Sequence, residues 1–411
     1  MPSTVWSRVA LISLGGFFEF YDIFFAGYIS PGLVRSGILA PTGMAGGIAG
    51  FVAAMFSGLF VGTALVSFVA DRFGRRTVFT YSLLWYTVAS VIMAFQHHAF
   101  GLNLWRFISG IGVGVELVTI DTYLSELVPA NLRGRAFAVN QAIQFCAVPV
   151  VALFAWILVP RAPLGLDGWR WVVLLGAAGA IFVWWIRRRV PESPRWLAER
   201  VKRASPAIPR PSFSEMWRPP YRTRSIMLIV FHLFQTVGFY GFSNWVPTLL
   251  IARGIAITSS LRYTFIIAIA APFGPLFAAA IADRLERKWQ IVLSAFAIAV
   301  AGLFFGQMTA AGLLIFFGVL LTLGNNILSF SSHAYQAELY PTRIRALAVG
   351  FVYSWSRISV VFSSFVIGFV LNRFGVPGVF TLIAGSMLIV MLAIGMLGPR
   401  TNNLALETIS Q

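Results

Sequence analysis

Six acidic or basic residues besides histidine stand deep inside otherwise apolar runs of this chain: Glu19, Asp22, Arg106, Glu116, Asp121 and Arg357. On insertion scales a charge at the centre of a membrane helix costs about 2.5–3.5 kcal/mol. A segment carrying several is more than an anchor. Buried carboxylates suit proton uptake and release, because desolvation raises their pKa and a nearby guanidinium lowers it. A buried guanidinium needs a partner, and its planar fork suits a carboxylate. Glu19 and Asp22 are three apart and share a helix face near the middle of the first run. Arg357 lies near the centre of the eleventh run. Its partner is either a bound anion or an acid of the chain, Glu19 or Glu116. Asp121 is rotated ~140° from Glu116 at 100° per residue, which suits packing or a gate.

The elements that hold these residues follow from composition. The 411 residues are 58% hydrophobic and 11% charged, with mean hydropathy +0.81. A soluble protein of this length carries about 25% charged residues. The chain therefore reads as an all-α membrane protein, which excludes a soluble enzyme. Twelve apolar runs serve as transmembrane helices: 9–30, 44–70, 77–96, 102–126, 135–159, 169–188, 224–250, 259–282, 289–308, 311–338, 346–371 and 376–398. A Pro-, Arg- and Ser-rich segment divides them six and six. That gives an N-terminal bundle (1–188), a linker (189–223) and a C-terminal bundle (224–411).

An even number of spans puts both termini and the linker on one side, which holds 23 of the 31 Lys and Arg residues. By the positive-inside rule that side is the cytoplasm. The net charge of +17 thus reflects topology, and no nucleic-acid partner is expected. The single cysteine, Cys146, allows no intramolecular disulfide. No cleavable signal peptide is expected before the first run.

An internal repeat sets the architecture. Asp71-Arg72-Phe73-Gly74-Arg75-Arg76 aligns with Asp283-Arg284-Leu285-Glu286-Arg287-Lys288 at an offset of 212 residues. Tyr123, Glu126, Leu127, Pro129 and Arg133 align with Tyr335, Glu338, Leu339, Pro341 and Arg345 at the same offset. Both copies fall at cytoplasmic span ends, so the halves are parallel repeats. Such transporters place substrate near the midplane between the halves. By the same offset Glu19, Asp22, Arg106 and Glu116 map onto Phe231, Phe234, Gly318 and Leu328. Symmetry needs none of the four charges, which points to ion coupling in the N-terminal half.

Over its whole length the chain resembles the major facilitator superfamily. The DRFGRR loop at 71–76 is similar to the family signature between the second and third helices, with Ser67 where a glycine is expected. Pro191-Glu192-Ser193-Pro194-Arg195, together with Arg106, Gly110, Gly112 and Gly114, resembles sugar-porter-like members. Segments 15–25, 238–250 and 335–350 resemble the organic-ion, aromatic-acid and metabolite–proton symporter branches.

The resemblance implies site residues. In proton-coupled sugar porters an aspartate matching Asp22 pairs with an arginine matching Arg106. That pair is either a proton switch or a static tie between helices. Depth complicates it, since Arg106 lies ~12 Å and Asp22 ~4 Å from their span centres at 1.5 Å per residue. Glu116 and Glu19 lie nearer the midplane and are further proton-site candidates. In organic-anion members an arginine in the eleventh helix attracts substrate, as Arg357 would here. Asn140, Gln141 and Gln144 in helix five, with Gln235, Tyr240, Asn244 and Trp245 in helix seven, either orient a small ligand or tie helices together. Asp71, Arg75, Arg76, Glu126, Arg133, Asp283, Glu338, Arg343 and Arg345 are expected to form cytoplasmic gate salt bridges. Gly110, Gly112 and Gly114 suit close helix packing, and His232 and His333 read as core histidines. No metal site or cofactor is expected, with the proton gradient as energy source.

The expectation is a monomeric, multi-pass transporter in the plasma membrane, the inner membrane of a bacterium. It would couple import of a small, anionic organic acid to protons. A sugar or polyol symporter is the alternative, and a transporter-like nutrient sensor is the alternative of another class. Drug antiport is disfavoured because helix five shows Cys146-Ala147-Val148-Pro149 instead of the glycine–proline signature.

Overall fold

The computed structural model describes residues 2–41, 46–73, 75–128, 132–187, 213–281, 284–341 and 344–401. Apolar sequence in lipid must satisfy its own backbone, and helices do so within each segment. The described residues are accordingly almost all helical. The first half contains α1 (Pro2–Arg35), α2 (Ile48–Phe73), α3 (Arg75–Ala94), α4 (Ala99–Leu127), α5 (Arg133–Phe145), α6 (Ala147–Leu158) and α7 (Gly168–Arg187). The second contains α8 (Tyr221–Ser243), α9 (Val246–Ala252), α10 (Ile257–Ala268), α11 (Phe273–Ile281), α12 (Arg287–Gln307), α13 (Ala311–Glu338) and α14 (Arg345–Leu397). Among the described residues, eight helical stretches are long and apolar enough to cross a membrane.

The breaks have local causes. Pro247 lacks the N–H that would continue the ladder to Ser243, so α8 ends and α9 begins around Asn244 and Trp245. In α14, Gly375 takes φ 66° and ψ −166°, a region that side chains beyond hydrogen do not tolerate. The chain turns sharply there inside one nominal helix.

Small residues set the spacing within the first half. A Cβ on Gly58 would lie 2.0 Å from the Phe107 carbonyl oxygen, and one on Gly110 would lie 2.3 Å from that of Met55. The α2 and α4 backbones therefore touch, as small-residue seams in membranes allow. Gly114 meets Leu59 in the same way, and Gly112 faces Trp85 and Tyr86 of α3. Large apolar side chains such as Phe100, Phe182, Phe362 and Phe369 remain exposed on the outside, where lipid would cover them.

The halves meet where α5 and α6 pack on α11 and α10, and where α2 packs on α14. At the end where α1 begins and α14 finishes, here the terminal end, Val9 and Ile12 cluster with Ile120, Leu124 and Ala136. The opposite, far end is sealed. Ser30 Oγ of α1 lies 3.1 Å from Thr248 Oγ1 of α9. Gly27 sits against the Asn244 backbone, where a Cβ would come within 2.6 Å. Trp156 of α6 stacks on Phe265 of α10 at 5.7 Å.

Candidate functional site

A central cavity of about 400 Å³ lies between the halves, walled by α1, α5, α8, α13 and α14. Its lining runs to Gly134, Ala337 and Val349 near the terminal end. An aromatic plug closes it toward the far end: Phe24 lies 6.3 Å from Tyr240 and 6.2 Å from Phe239, and Phe145 lies 6.3 Å from Phe239. Beyond the plug is a smaller cavity of about 30 Å³ that shares Phe24 and Phe145 as its floor. With the far end sealed and the lining reaching the terminal end, the molecule is poised toward the terminal side.

Arg357 occupies the wall of the central cavity and is 1% exposed. It donates from Nη1 to the Tyr240 hydroxyl at 3.2 Å and from Nη2 to the Tyr353 hydroxyl at 3.0 Å. Its guanidinium lies over the Tyr353 ring, 4.6 Å from the centroid. Glu19, fully buried on α1, acts on the same guanidinium through space. Of the two partners the sequence left open for Arg357, an acid of the chain is therefore within electrostatic reach. Both tyrosine hydroxyls accept from the arginine, which leaves their own protons to be donated elsewhere.

Asp22 and Arg106 come together away from that cavity. Arg106 Nη1 donates to Asp22 Oδ2 at 2.9 Å, while Nη2 donates to the Asp22 carbonyl oxygen at 2.7 Å. Ser90 and Ser109 donate to the two carboxylate oxygens at 2.7 and 3.0 Å. Phe25 lies 4.2 Å beneath the guanidinium. The depth mismatch is bridged by the length of the arginine side chain. A space of about 10 Å³ beside Asp22, bounded by Tyr21, Tyr86 and Ser90, is the size of one water. Glu116 is fully buried in α4.

Of the residues expected at a substrate, Asn140, Gln141, Gln144, Gln235, Tyr240 and Arg357 line the central cavity. Asn244 and Trp245 do not. The helix break before Pro247 turns them into the closed seam, where Asn244 is fully buried and Trp245 is 1% exposed. His232 and His333, expected as core residues, stand in the cavity wall, where His232 is 2% exposed. His232 Nε2 lies 2.9 Å from Gln336 Oε1, and His333 Nδ1 lies 2.7 Å from the Ser329 carbonyl. Tyr353 was not singled out from sequence, because nothing beyond its spacing of four from Arg357 marks it.

At the terminal end Glu338 pairs with Arg287, a residue of the repeated motif not expected as a gate partner. The pair joins α12 to α13 within one half and does not cross between halves. Arg345 Nε donates to the Tyr340 carbonyl at 3.2 Å. The side chains of Asp71, Arg75, Arg76, Asp121, Glu126 and Arg133 lie outside the described residues, as do Asp283 and Arg343.

Long apolar helices packed around a central cavity with a buried arginine in its wall are the build of a membrane transporter. The Major Facilitator Superfamily model matches residues 12–312 and 265–408. A putative metabolite transport protein of Bacillus subtilis, YyaJ, is 31% identical over 94% of this chain and 90% of its own length. The niacin transporter NiaP of Acinetobacter baylyi is 28% identical over 97% of this chain and 95% of its own. In fold, the chain is similar to a D-xylose–proton symporter, with TM-score 0.79 and 19% identity over 96% of this chain and 98% of that one. The chain belongs to the Major Facilitator Superfamily and is a multi-pass membrane transporter.

Proposed function

We propose that the chain is a proton-coupled symporter importing a small, planar organic acid. The observation that carries this reading is Arg357, a guanidinium buried in the wall of the central cavity and held by Tyr240 and Tyr353. A carboxylate placed there meets two N–H donors and two polarised hydroxyls, and charge-assisted bonds of this kind are about twice as strong as neutral ones. Phe20, Phe137, Phe239 and Phe330 line the same space and suit the face of an aromatic ring. A relative named for niacin, an aromatic carboxylate, fits the same chemistry.

In this reading twelve spans form two six-helix halves, with α5/α6, α8/α9 and α10/α11 each counting as one span and α14 as two. The terminal end faces the cytoplasm of a bacterial cell, across the inner membrane. Asp22 and Arg106 form the proton switch: protonation of Asp22 removes the ionic share of its bond to Arg106 and weakens the hold of α4 on α1. Glu116 and Glu19 are secondary acids of the same half. The charges at 71–76, 126–133, 283 and 338–345 gate the cytoplasmic end. The transporter acts as a monomer and needs no cofactor.

A neutral sugar or polyol is the second reading, favoured by the amides Asn140, Gln141, Gln144 and Gln235 on the same wall. Uptake into proteoliposomes under an inward proton gradient separates the two. Nicotinate, benzoate and aliphatic monocarboxylates are tested beside xylose, glucose and inositol. Accumulation of an acid that collapses with a protonophore supports the proposal; accumulation of only neutral compounds refutes it.

A further inference from the structure

The wall that holds Arg357 also holds two histidines. His232 meets the Tyr353 ring edge-on at 5.3 Å and His333 at 5.2 Å, while Arg357 covers its face. Three basic side chains thus surround one phenol. Among the described residues, the charged and titratable groups facing the pair are Arg357 and Tyr353 from α14, Glu19 acting on Arg357 from α1, and Tyr240 on α8.

Hydrogen bonding assigns the neutral tautomers. The Gln336 amide oxygen accepts from His232 Nε2–H, which leaves Nδ1 as the lone pair. That Nδ1 is buried and has no hydrogen-bond partner among the described residues. The Ser329 carbonyl accepts from His333 Nδ1–H, which leaves Nε2 as the lone pair. Each ring therefore has a free proton acceptor, and protonation breaks neither bond.

The charge balance gives these acceptors a role. Counting Glu19 as ionised beside Arg357, the two together are neutral with no substrate. A carboxylate arriving at Arg357 leaves one negative charge in excess inside a low-dielectric cavity, where uncompensated charge is costly. One proton on a neighbouring imidazole restores neutrality. We propose that His232 and His333 form a second proton-binding site, separate from Asp22, which takes up one proton between them when a carboxylate binds at Arg357. Two rings sharing a proton titrate as a unit. Linkage makes the effect reciprocal, so the proton tightens anion binding by the same factor that the anion tightens proton binding. This inference rests on the carboxylate reading above and deepens it.

The test is calorimetric titration of the purified full chain with nicotinate, in buffers of different ionisation enthalpy and across a pH series. Wild type is expected to take up close to one proton per anion. Its Kd should fall on the order of tenfold per unit of acidification in the window between the pKa of the pair in the complex and its lower pKa in the free protein. H232Q/H333N keeps a donor for Gln336 and one for the Ser329 carbonyl but cannot hold the proton. It is expected to bind nicotinate with no uptake and a pH-flat Kd. Asp22→Asn removes the rival acceptor in the N-terminal half and is expected to retain the uptake, which gives a second route should the double variant misfold. Uptake that persists in H232Q/H333N, or vanishes in Asp22→Asn, overturns the proposal and moves the proton to Glu19 or Asp22. Nicotinate and the other monocarboxylates failing to bind wild type at any pH would overturn the carboxylate reading itself, and this inference with it.

Discussion

Breaking the Asp22–Arg106 pair from either side is expected to be costly, and removing both partners is not. Arg106 is fully buried, and among the described residues Asp22 is the one carboxylate it pairs with. Removing one member of a buried ion pair costs about 3–5 kcal/mol, because the other charge stays behind. Asp22→Asn should fall at the low end, about 3 kcal/mol. Arg106 keeps the Asp22 carbonyl at 2.7 Å and the Phe25 ring at 4.2 Å, and asparagine still accepts from Ser90 or Ser109. Arg106→Met should cost about 4 kcal/mol, because an anion then has only two serine hydroxyls. D22N/R106M buries no charge and should lose no more than about 2 kcal/mol, a coupling of several kcal/mol against the sum. The assay is unfolding in detergent for the four proteins, alongside proton-driven uptake and counterflow exchange in proteoliposomes. Asp22→Asn should exchange substrate but fail to accumulate it. Additive costs would refute the structural argument. Normal accumulation by Asp22→Asn would leave the pair as a static tie and refute its role in coupling.

Three further outcomes follow from the geometry. Arg357→Gln removes the charge from two hydrogen bonds, worth roughly 1.5–3 kcal/mol to a carboxylate, so nicotinate affinity should fall about 10- to 150-fold in a binding titration; unchanged affinity places the anion elsewhere. S30C/T248C, built on Cys146→Ser, should oxidise to a crosslink that fixes the far end closed and stops transport until reductant is added; active oxidised protein would show that this end need not open. Phe24→Ala removes one of the two rings shared by the 400 and 30 Å³ cavities and should permit anion flux without protons; tight coupling in that variant would show that the plug is not the barrier.

The helices were legible because lipid imposes one rule on every span: apolar side chains outside and a self-satisfied backbone. Breaks within spans were less so. The run 224–250 reads as one helix until Pro247 divides it, and that division moved Asn244 and Trp245 off the cavity wall. The Asp22–Arg106 pair was readable only through resemblance, since 84 residues separate its members and helix depth argued against it. The place of His232 in the cavity wall was hidden for a related reason. An isolated histidine in an apolar run carries no sign of its partner, and Gln336 lies 104 residues away. The Glu338–Arg287 pair shows the converse limit, because a repeat reveals which positions correspond but not which of them touch.

The two charged sites divide between the halves, and α1 is the element common to both. One face presents Asp22 to Arg106, Ser90 and Ser109. Another presents Phe20, Ile23 and Phe24 to the cavity, while Glu19 acts on Arg357. Arg106 also grips the main chain of α1 through the Asp22 carbonyl, so neutralising the carboxylate does not free the helix at once. It removes the ionic share of the grip and leaves the neutral one. A proton at Asp22 therefore biases the position of α1 rather than releasing it, and substrate on the opposite face adds to or opposes that bias through Arg357 and Glu19. Coupling in this arrangement needs no wire between distant sites. One helix seated between two charge balances feels both.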